Sequence, residues 1–519
     1  MKQGGQNMKI LFKSISLILV ILMLFTVFAS CDKNNDKSAN STANTTDANN
    51  ASVTSTEGNN KEPADPPPAE NNEFKVPTAN YGGKEFNILA PSYLYSDFLK
   101  YEDTANAIDL AIYQRDSKIK SHLGVTIKNH LVGATNKRDI ISSFNTLKAN
   151  HDSGDDAYQL YLTDASGAVL KLATQHYVSD LQTFEDINLN ADYWNKEVME
   201  ELEYNSKLYY GVSDYMIANP NVVFFNKTMQ KNYKVNNPYD MVRNGSWTLE
   251  NMITESKKVN DEGDKATKNL GFACGDDWHF VSLLDSCGVE IVKDGGDGYW
   301  NLNLNLNNKR HTIVYQLLTD LFDSNSTLIY KEKITGIADD DKSITSGRVL
   351  FTFAPLNEAI DYRASSVDFG VLPYPKYDTT EKEYRSFNWS GFMCVPSTAK
   401  DKKLIGQVLE SLSYFSSADN NNIRNAYYQQ LIAASPDDNQ MIQIIYNNIV
   451  VNRAINFVGG DGKGDSEYYK RFTSLYNLIY TYQNLAKSYS RSTSADSIAL
   501  AWASYGPSAQ SAIDIIYNI

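Results

Sequence analysis

The stretch Leu208–Val259 constrains the fold more than any other part of this 519-residue chain. Within it, Asn219-Pro220 breaks the backbone, because proline fixes φ and disfavours a helical conformation for the residue before it. The β-branched and aromatic run Val222–Phe225 follows and predicts a buried strand. A short helix comes next, and a further helix begins at Thr248, a residue type that caps helices well. With the strand-like run that ends at Tyr209-Tyr210, the stretch predicts a strand, a loop, a second strand, a helix, a loop and a further helix.

The helix that begins at Thr248 carries its own packing signal. Trp247 precedes the cap and is spaced to pack on Met252 as a hydrophobic staple. We therefore interpret Trp247 as a packing residue. Trp194 and Trp502 lie in helical patterns, and we interpret them as packing residues too.

Before this stretch, predicted strands alternate with predicted helices. The strands are Glu85–Ala90, Val125–Ile127 and Tyr158–Leu162, and the helices have core faces running from Ile108 to Leu123 and from Ile140 to Leu147. This order is typical of a parallel sheet with helices on both faces. Ligands of such sheets bind beyond the carboxyl ends of the strands, which places Tyr93 and Asp164 at one rim.

The first 80 residues predict export and tethering. Residues 1–31 combine basic residues, an apolar run Ile15–Phe28 too short to span a bilayer comfortably, and Phe28-Ala29-Ser30-Cys31, which resembles a lipobox. We expect Cys31 to be lipid-modified, with an ordinary cleaved signal peptide as the alternative. Residues 32–80 are rich in Asn, Ser, Thr, Asp, Ala and Pro, and we predict a disordered tether.

Composition narrows the class of the remaining chain. The net charge is −14, from 48 basic and 62 acidic residues, which argues against a nucleic-acid partner. The roughly 440 residues after the tether favour two lobes rather than one core. Three cysteines follow Cys31, so at least one thiol is unpaired; Cys274 and Cys287 could form a disulfide or be buried free thiols, and Cys394 is the third.

Motifs for catalysis are missing from the sequence. We find no GxSxG, HExxH, Walker or paired CxxC motif. Glu197, Glu200 and Glu201 lie on one predicted helix, and we interpret them as its solvated face rather than as a glycosidase pair. We expect neither enzymatic activity nor a metal or other cofactor.

Several motifs, taken in order, resemble those of a known family. They are Val223–Lys227 (VFFNK), Ser246–Glu250 (SWTLE), Asp368–Lys376 (DFGVLPYPK), Asn388–Phe392 (NWSGF) and Ser397–Lys400 (STAK). Their order and spacing resemble the extracellular solute-binding proteins of ABC importers, in the branch that includes many oligosaccharide binders. The resemblance implies an α/β, two-lobe, periplasmic-binding-protein-like (type II) fold with a hinge between the lobes.

The resemblance also implies lobe boundaries and a function. The first lobe would comprise residues 81–212 and 374–425, and the second lobe residues 213–373 and 426–519. The protein would capture a solute, most simply an oligosaccharide, between the lobes and deliver it to the transmembrane subunits of an ABC permease. We expect a monomer, anchored by lipid on the outer face of the cell membrane. A peptide or other small polar solute, or a surface polysaccharide-processing activity, stays open as an alternative.

Aromatic residues make up 12% of the chain, with 34 tyrosines and six tryptophans. Sugar rings stack on aromatic rings, while Asp and Asn bind their hydroxyl groups. The candidate ligand-binding residues are Tyr93, Asp164, Asp214, Tyr215, Trp278, Asn388 and Trp389. Leu356 and Asn357 stand where many sugar binders of the family carry a tryptophan in the cleft, so the alternative solutes are retained.

Overall fold

Two larger β-sheets organise the described residues of the computed structural model. It describes residues 78–94, 107–135, 139–167, 169–274, 278–296, 299–303, 309–322, 324, 326–328, 337, 341–388, 390–417, 423–424, 426, 435–458, 470–487 and 495–517. These residues all belong to one compact unit. The predicted export segment with Cys31, most of the tether, and Trp389 lie outside the described residues.

The elements are numbered in chain order. The strands are β1 (Lys84–Pro91), β2 (Val125–Val132), β3 (Leu160–Asp164), β4 (Asn221–Asn226), β5 (Leu270–Cys274), β6 (Val292–Asp294), β7 (Trp300–Leu302), β8 (Thr327–Leu328), β9 (Val349–Pro355), β10 (Phe369–Leu372), β11 (Ser386–Phe387), β12 (Ser390–Cys394) and β13 (Ile449–Val450). The helices are α1 (Ala107–Leu123), α2 (Ile140–Ser153), α3 (Val169–Thr174), α4 (Lys196–Glu201), α5 (Lys227–Asn232), α6 (Pro238–Arg243), α7 (Leu249–Ser256), α8 (Trp278–Ser286), α9 (Lys309–Phe322), α10 (Glu358–Tyr362), α11 (Lys402–Ser416), α12 (Pro436–Asn447), α13 (Arg453–Val458), α14 (Thr473–Lys487) and α15 (Ala495–Tyr517).

The first sheet has the strand order β12-β3-β1-β2 among the described residues. Strands β1, β2 and β3 run parallel, and β12 runs antiparallel to β3. Helices α1 and α2 bury the faces that their apolar spacing predicts, and Gly124 ends α1 with a φ of +62°. The predicted alternation of strands and helices is confirmed. We call the part of the chain built around this sheet the first lobe.

The second sheet has the order β10-β4-β9-β5-β8 among the described residues. Strand β4 runs antiparallel to β9 and β10, whereas β5 runs parallel to β8 and β9. All six residues of β4 are buried, as the VVFF run predicts for a strand covered on both faces. We call the part of the chain built around this sheet the second lobe.

Helix α7 shows how local sequence fixes one element of the second lobe. The Thr248 side chain accepts a hydrogen bond from the backbone N–H of Asn251, which confirms it as the N-cap. Trp247 is fully buried, its indole N–H donates to the Pro373 carbonyl over 2.9 Å, and its ring lies 5.5 Å from that of Phe351. Trp247 is therefore a packing residue, as predicted. Trp194 and Trp502 are buried too.

The chain passes between the lobes at three places within the described residues. Gly211 still pairs with Met393 of the first sheet, and β4 of the second sheet begins at Asn221. The second passage returns the chain to the first sheet and runs from β10 through β11 to β12. The third passage lies between α12, which packs on β10, and α13, which packs against α3. The predicted lobe boundaries near residues 213 and 374 stay predictions. The boundary near residue 425 falls in a region that is only partly described.

Candidate functional site

Tyr93 and Asp164 meet at the carboxyl edge of the first sheet. Strands β1 and β3 are parallel neighbours, with Ile88 opposite Leu160, so both end at the same edge. Tyr93 lies in the short 3₁₀ turn that follows β1, and Asp164 is the last residue of β3. The Tyr93 hydroxyl donates to Asp164 Oδ2 over 2.6 Å. Tyr93 is half-buried and Asp164 is 1% exposed. The predicted proximity is confirmed, and the ligand-binding role of both residues stays a prediction.

Asp214 lies in the first passage between the lobes and forms an ion pair that the sequence did not reveal. Both Nε and Nη2 of Arg424 donate to Asp214 Oδ1, over 3.0 and 2.5 Å. The Asp214 side chain is 13% exposed. Burial raises the pKa of the Asp214 carboxyl, although the Arg424 guanidinium opposes that rise. Arg424 therefore supplies a cation beside this predicted ligand-binding carboxylate.

Tyr215 is buried rather than open to solvent, with 1% of its surface exposed. The guanidinium carbon of Arg115 lies 4.7 Å from the centroid of its ring. Arg115 is itself 1% exposed, and its Nε donates to Asp116 Oδ1 over 2.8 Å. Burial raises the pKa of the Tyr215 hydroxyl. In this arrangement Tyr215 packs against α1, so solvent does not reach it.

Asn388 lies in the second passage between the lobes and is bonded to the other two. The Oδ1 of the Asn388 side chain accepts from the backbone N–H of Asn219 over 3.0 Å, and the backbone N–H of Asn388 donates to the Val450 carbonyl over 3.1 Å. The Oδ1 of Asn219 in turn accepts from the N–H of Asn357 over 3.0 Å. Asn388 is fully buried. The structure therefore gives Asn388 a role in holding the hinge together, and contact with a ligand stays a prediction.

Trp278 is the first residue of α8 in the second lobe. It is half-buried and packs against the hydrophobic core. Its neighbours Asp276 and Asp277 lie outside the described residues, as does Trp389. The described part of the chain therefore brings Tyr93 and Asp164 into contact.

Two further interpretations of the sequence are decided by the structure. Cys274, Cys287 and Cys394 are buried free thiols, so Cys274 and Cys287 do not form the disulfide left open above. Glu201 is half-buried, and the interpretation that it belongs to a solvated helix face was wrong. The reason is that a later segment of the chain covers the end of α4, where Glu201 Oε2 accepts from the N–H of Val451 over 3.1 Å.

The described residues contain neither a cluster of metal-binding side chains nor a membrane-spanning helix. Within them, no group of three or more His, Cys, Asp or Glu side chains is arranged to hold a metal ion. No helix in the same ranges is both long enough and apolar enough to cross a membrane.

Solved structures with the same fold come from solute-binding proteins. One is the ABC substrate-binding protein Lmo0181 from Listeria monocytogenes in complex with cycloalternan, at 13% identity, with 84% of this chain and 98% of that chain covered and a TM-score of 0.52. Another is the galacto-N-biose-/lacto-N-biose I-binding protein of the ABC transporter from Bifidobacterium longum in complex with lacto-N-biose, at 15% identity, with 85% and 98% covered and a TM-score of 0.53.

A third is maltose-bound MalE3 of T. maritima, at 12% identity, with 82% of this chain and 99% of that chain covered and a TM-score of 0.51. No family model matches the chain, and no curated protein matches it. The likeness to solved structures confirms the predicted fold class, an α/β fold of two lobes of the periplasmic-binding-protein type.

Proposed function

We propose that this protein is the solute-binding component of an ABC transporter, which captures a solute between its two lobes and delivers it to a membrane permease. The Tyr93–Asp164 pair is the observation that carries the proposal. It combines an aromatic ring and a hydrogen-bonding carboxylate at the sheet edge where ligands of parallel α/β sheets bind. The fold, shared with solute-binding proteins over more than four-fifths of this chain, supports the same function.

The proposed ligand is an oligosaccharide. Carbohydrate recognition needs rings for stacking and carboxylates or amides for the hydroxyl groups, and the candidate residues offer both. The structures compared above hold cycloalternan, lacto-N-biose and maltose, which supports a sugar here as well. A ligand held between lobes favours closure because the closed state alone contacts it from both sides.

In this proposal the protein binds the glycan without cleaving it. It acts as a monomer on the outer face of the cell membrane, where lipid on Cys31 anchors it. The permease supplies the membrane-spanning subunits. Contacts from Asp214, Tyr215, Trp278, Asn388 and Trp389 complete the proposed site.

A thermal-shift screen tests this function. The panel contains maltose, longer α-glucans, β-linked disaccharides and short peptides, followed by analysis of the products after incubation. We expect at least one glycan to raise the melting temperature in a saturable way and to be recovered intact. Saturable stabilisation by peptides and by no glycan would replace the proposed ligand class. Protein-dependent cleavage of the glycan would replace binding by hydrolysis.

A further inference from the structure

The third passage between the lobes is held from both sides by acidic side chains. We call residues 448–453 the crossing segment. Before it, α12 packs on β10 of the second sheet, and after it, α13 packs against α3 and the 165–167 turn of the first lobe and also against α14 and β6. Strand β13 lies within the segment and pairs in parallel with β11, with Ser386 opposite Ile449. Movement of one lobe against the other must therefore be accommodated near this segment.

Glu201 holds the crossing segment from the first lobe. It is the last residue of α4, and its Oε2 accepts from the N–H of Val451 over 3.1 Å. Its backbone carbonyl accepts from Nε of Arg453 over 3.0 Å. Helix α4 belongs to the first lobe. The backbone N–H of Asn195, the N-cap of α4, donates to the Val212 carbonyl, and the residue before Val212, Gly211, pairs with the first sheet.

Asp285 holds the same segment from the second lobe. Both of its carboxylate oxygens accept from Nδ2 of Asn452, over 2.8 and 2.9 Å. Asp285 lies on α8, which is tied to the second sheet where Nδ2 of Asn221 donates to the Ser282 hydroxyl over 2.7 Å. Carboxylates from opposite lobes thus bind the consecutive residues Val451 and Asn452.

The surroundings of the two carboxylates favour proton binding. Asp285 is 7% exposed, and burial raises its pKa well above the ordinary value. The negative charges of Glu290 and Glu201 raise the Asp285 pKa further, whereas the hydrogen bond from Asn452 and the positive charge of Arg385 lower it. Burial also raises the pKa of Glu201, together with Glu290, whereas the Val451 N–H, Arg453 and Arg385 oppose it. Helix α14, which packs against α8, has no Asp, Glu, Arg or His in its sequence and one lysine, Lys487, at its end.

We propose that Glu201 and Asp285 form a proton-controlled clamp on the crossing segment, in which the described arrangement holds while one carboxylate is protonated and loosens when both are ionised. Like charges repel and are costly to bury, so ionising both groups favours a lobe arrangement that lets solvent reach them. The described arrangement binds more protons than the loosened one, and acid therefore favours it. As pH rises, loosening begins above about pH 4, the ordinary pKa of carboxyl groups, and is complete once the pH exceeds the raised pKa values of these two carboxyl groups.

The clamp goes beyond the proposed function, since it concerns the lobes without any ligand. The test uses the full chain with no glycan added and with fluorophores at Ser121 of the first lobe and Ala364 of the second, both exposed. Energy transfer between them is measured from about pH 8 down to about pH 5. We expect the ratio of the two lobe arrangements to change about tenfold for each unit by which the pKa differs between them.

Neutral variants show which groups carry the effect. Asp285→Asn should keep, at every pH, the lobe arrangement that the wild type adopts in acid. Glu201→Gln should flatten the pH response of the energy transfer in the same way, and it serves as the test if Asp285→Asn fails to fold. The matched control is Glu410→Gln, which removes a fully buried carboxylate of the first lobe that contacts Tyr193 and Trp194 instead of the crossing segment. It should keep the wild-type response. A wild-type protein whose energy transfer ignores pH, or a folded neutral variant that responds as the wild type does, would overturn the clamp.

Discussion

The Tyr93 hydroxyl donates a 2.6 Å hydrogen bond to Asp164, joining the ends of two parallel strands that lie 71 residues apart in the sequence. The carboxylate is buried, and the phenol supplies it with a hydrogen-bond donor. The bond also fixes the Tyr93 ring beside the carboxylate. In the proposed function, this fixed pair is the part of the site that the first lobe contributes.

The variant Tyr93→Phe tests the pair. It keeps the ring and removes the hydrogen bond that orders it, and ordering a side chain on binding costs about 0.5–1.5 kcal/mol. We therefore expect the Kd for the glycan found by thermal shift to rise by up to about tenfold, at about 1.4 kcal/mol per factor of ten. Calorimetry gives the Kd. Tyr158→Phe is the matched control, since Tyr158 is a half-buried tyrosine of the same lobe whose ring contacts His130. Equal Kd values for all three proteins would remove the pair from the site.

Trp389 is predicted to stack on the ligand. Aromatic stacking contributes about 0.5–1.5 kcal/mol beyond the burial of area, so Trp389→Ala should weaken binding by about tenfold or more. The check is calorimetry combined with the melting temperature. Trp502→Phe serves as the comparison, because Trp502 is buried in α15 and should affect stability without affecting affinity. A folded Trp389→Ala protein with wild-type affinity would contradict the prediction.

Glu410 should make stability depend on pH. Burial raises its pKa, while hydrogen bonds from Tyr193, from the Asn188 backbone and from Trp194 oppose the rise. The native state thus keeps a proton that the unfolded state has lost. The resulting stabilisation is complete below the ordinary pKa of about 4.3 and is lost as pH rises through the raised value.

The variant Glu410→Gln should remove this dependence of stability on pH. Melting temperatures measured over a pH series should show the variant gaining stability relative to the wild type as pH rises. Glu262→Gln, at an exposed loop position, should follow the wild type. Parallel curves for Glu410→Gln and the wild type would show that Glu410 does not titrate between the two states as described.

Cys31 is predicted to carry the membrane anchor. Cys31→Ala, expressed in a host that processes lipoproteins, should move from the membrane fraction to the soluble fraction, because no lipid can be attached. Immunoblotting of the two fractions gives the result. Cys394→Ala provides the control, as this thiol is buried in β12 of the first lobe. Equal membrane retention of Cys31→Ala and wild-type protein would place the anchor elsewhere.

Local signals in the sequence were sufficient for the elements and for one edge of the site. Thr248 and Trp247 lie next to the helix that they cap and pack, so their roles depend on a few neighbouring residues. Strand order alone placed Tyr93 and Asp164 at one edge, since parallel neighbours end together. The placement of Tyr93 and Asp164 depended on geometry that repeats in every parallel sheet.

Contacts distant in sequence were missed. Arg424 binds Asp214 across 210 residues, and no spacing rule connects the two. Arg115 did leave a signal, since it shares the apolar face of α1 with Ile112 and Ile119, where a charge requires a buried partner. Glu201 looked solvated because the segment that covers it follows 250 residues later.

Closure of the lobes on a glycan is the most direct test of the central claim. Energy transfer between Ser121 and Ala364 is followed at fixed pH while the glycan identified by thermal shift is added. We predict a saturable change in transfer, with a midpoint equal to the calorimetric Kd, that reverses when the glycan is removed. A glycan that binds in the calorimeter but leaves the transfer unchanged at saturation would contradict capture between the two lobes.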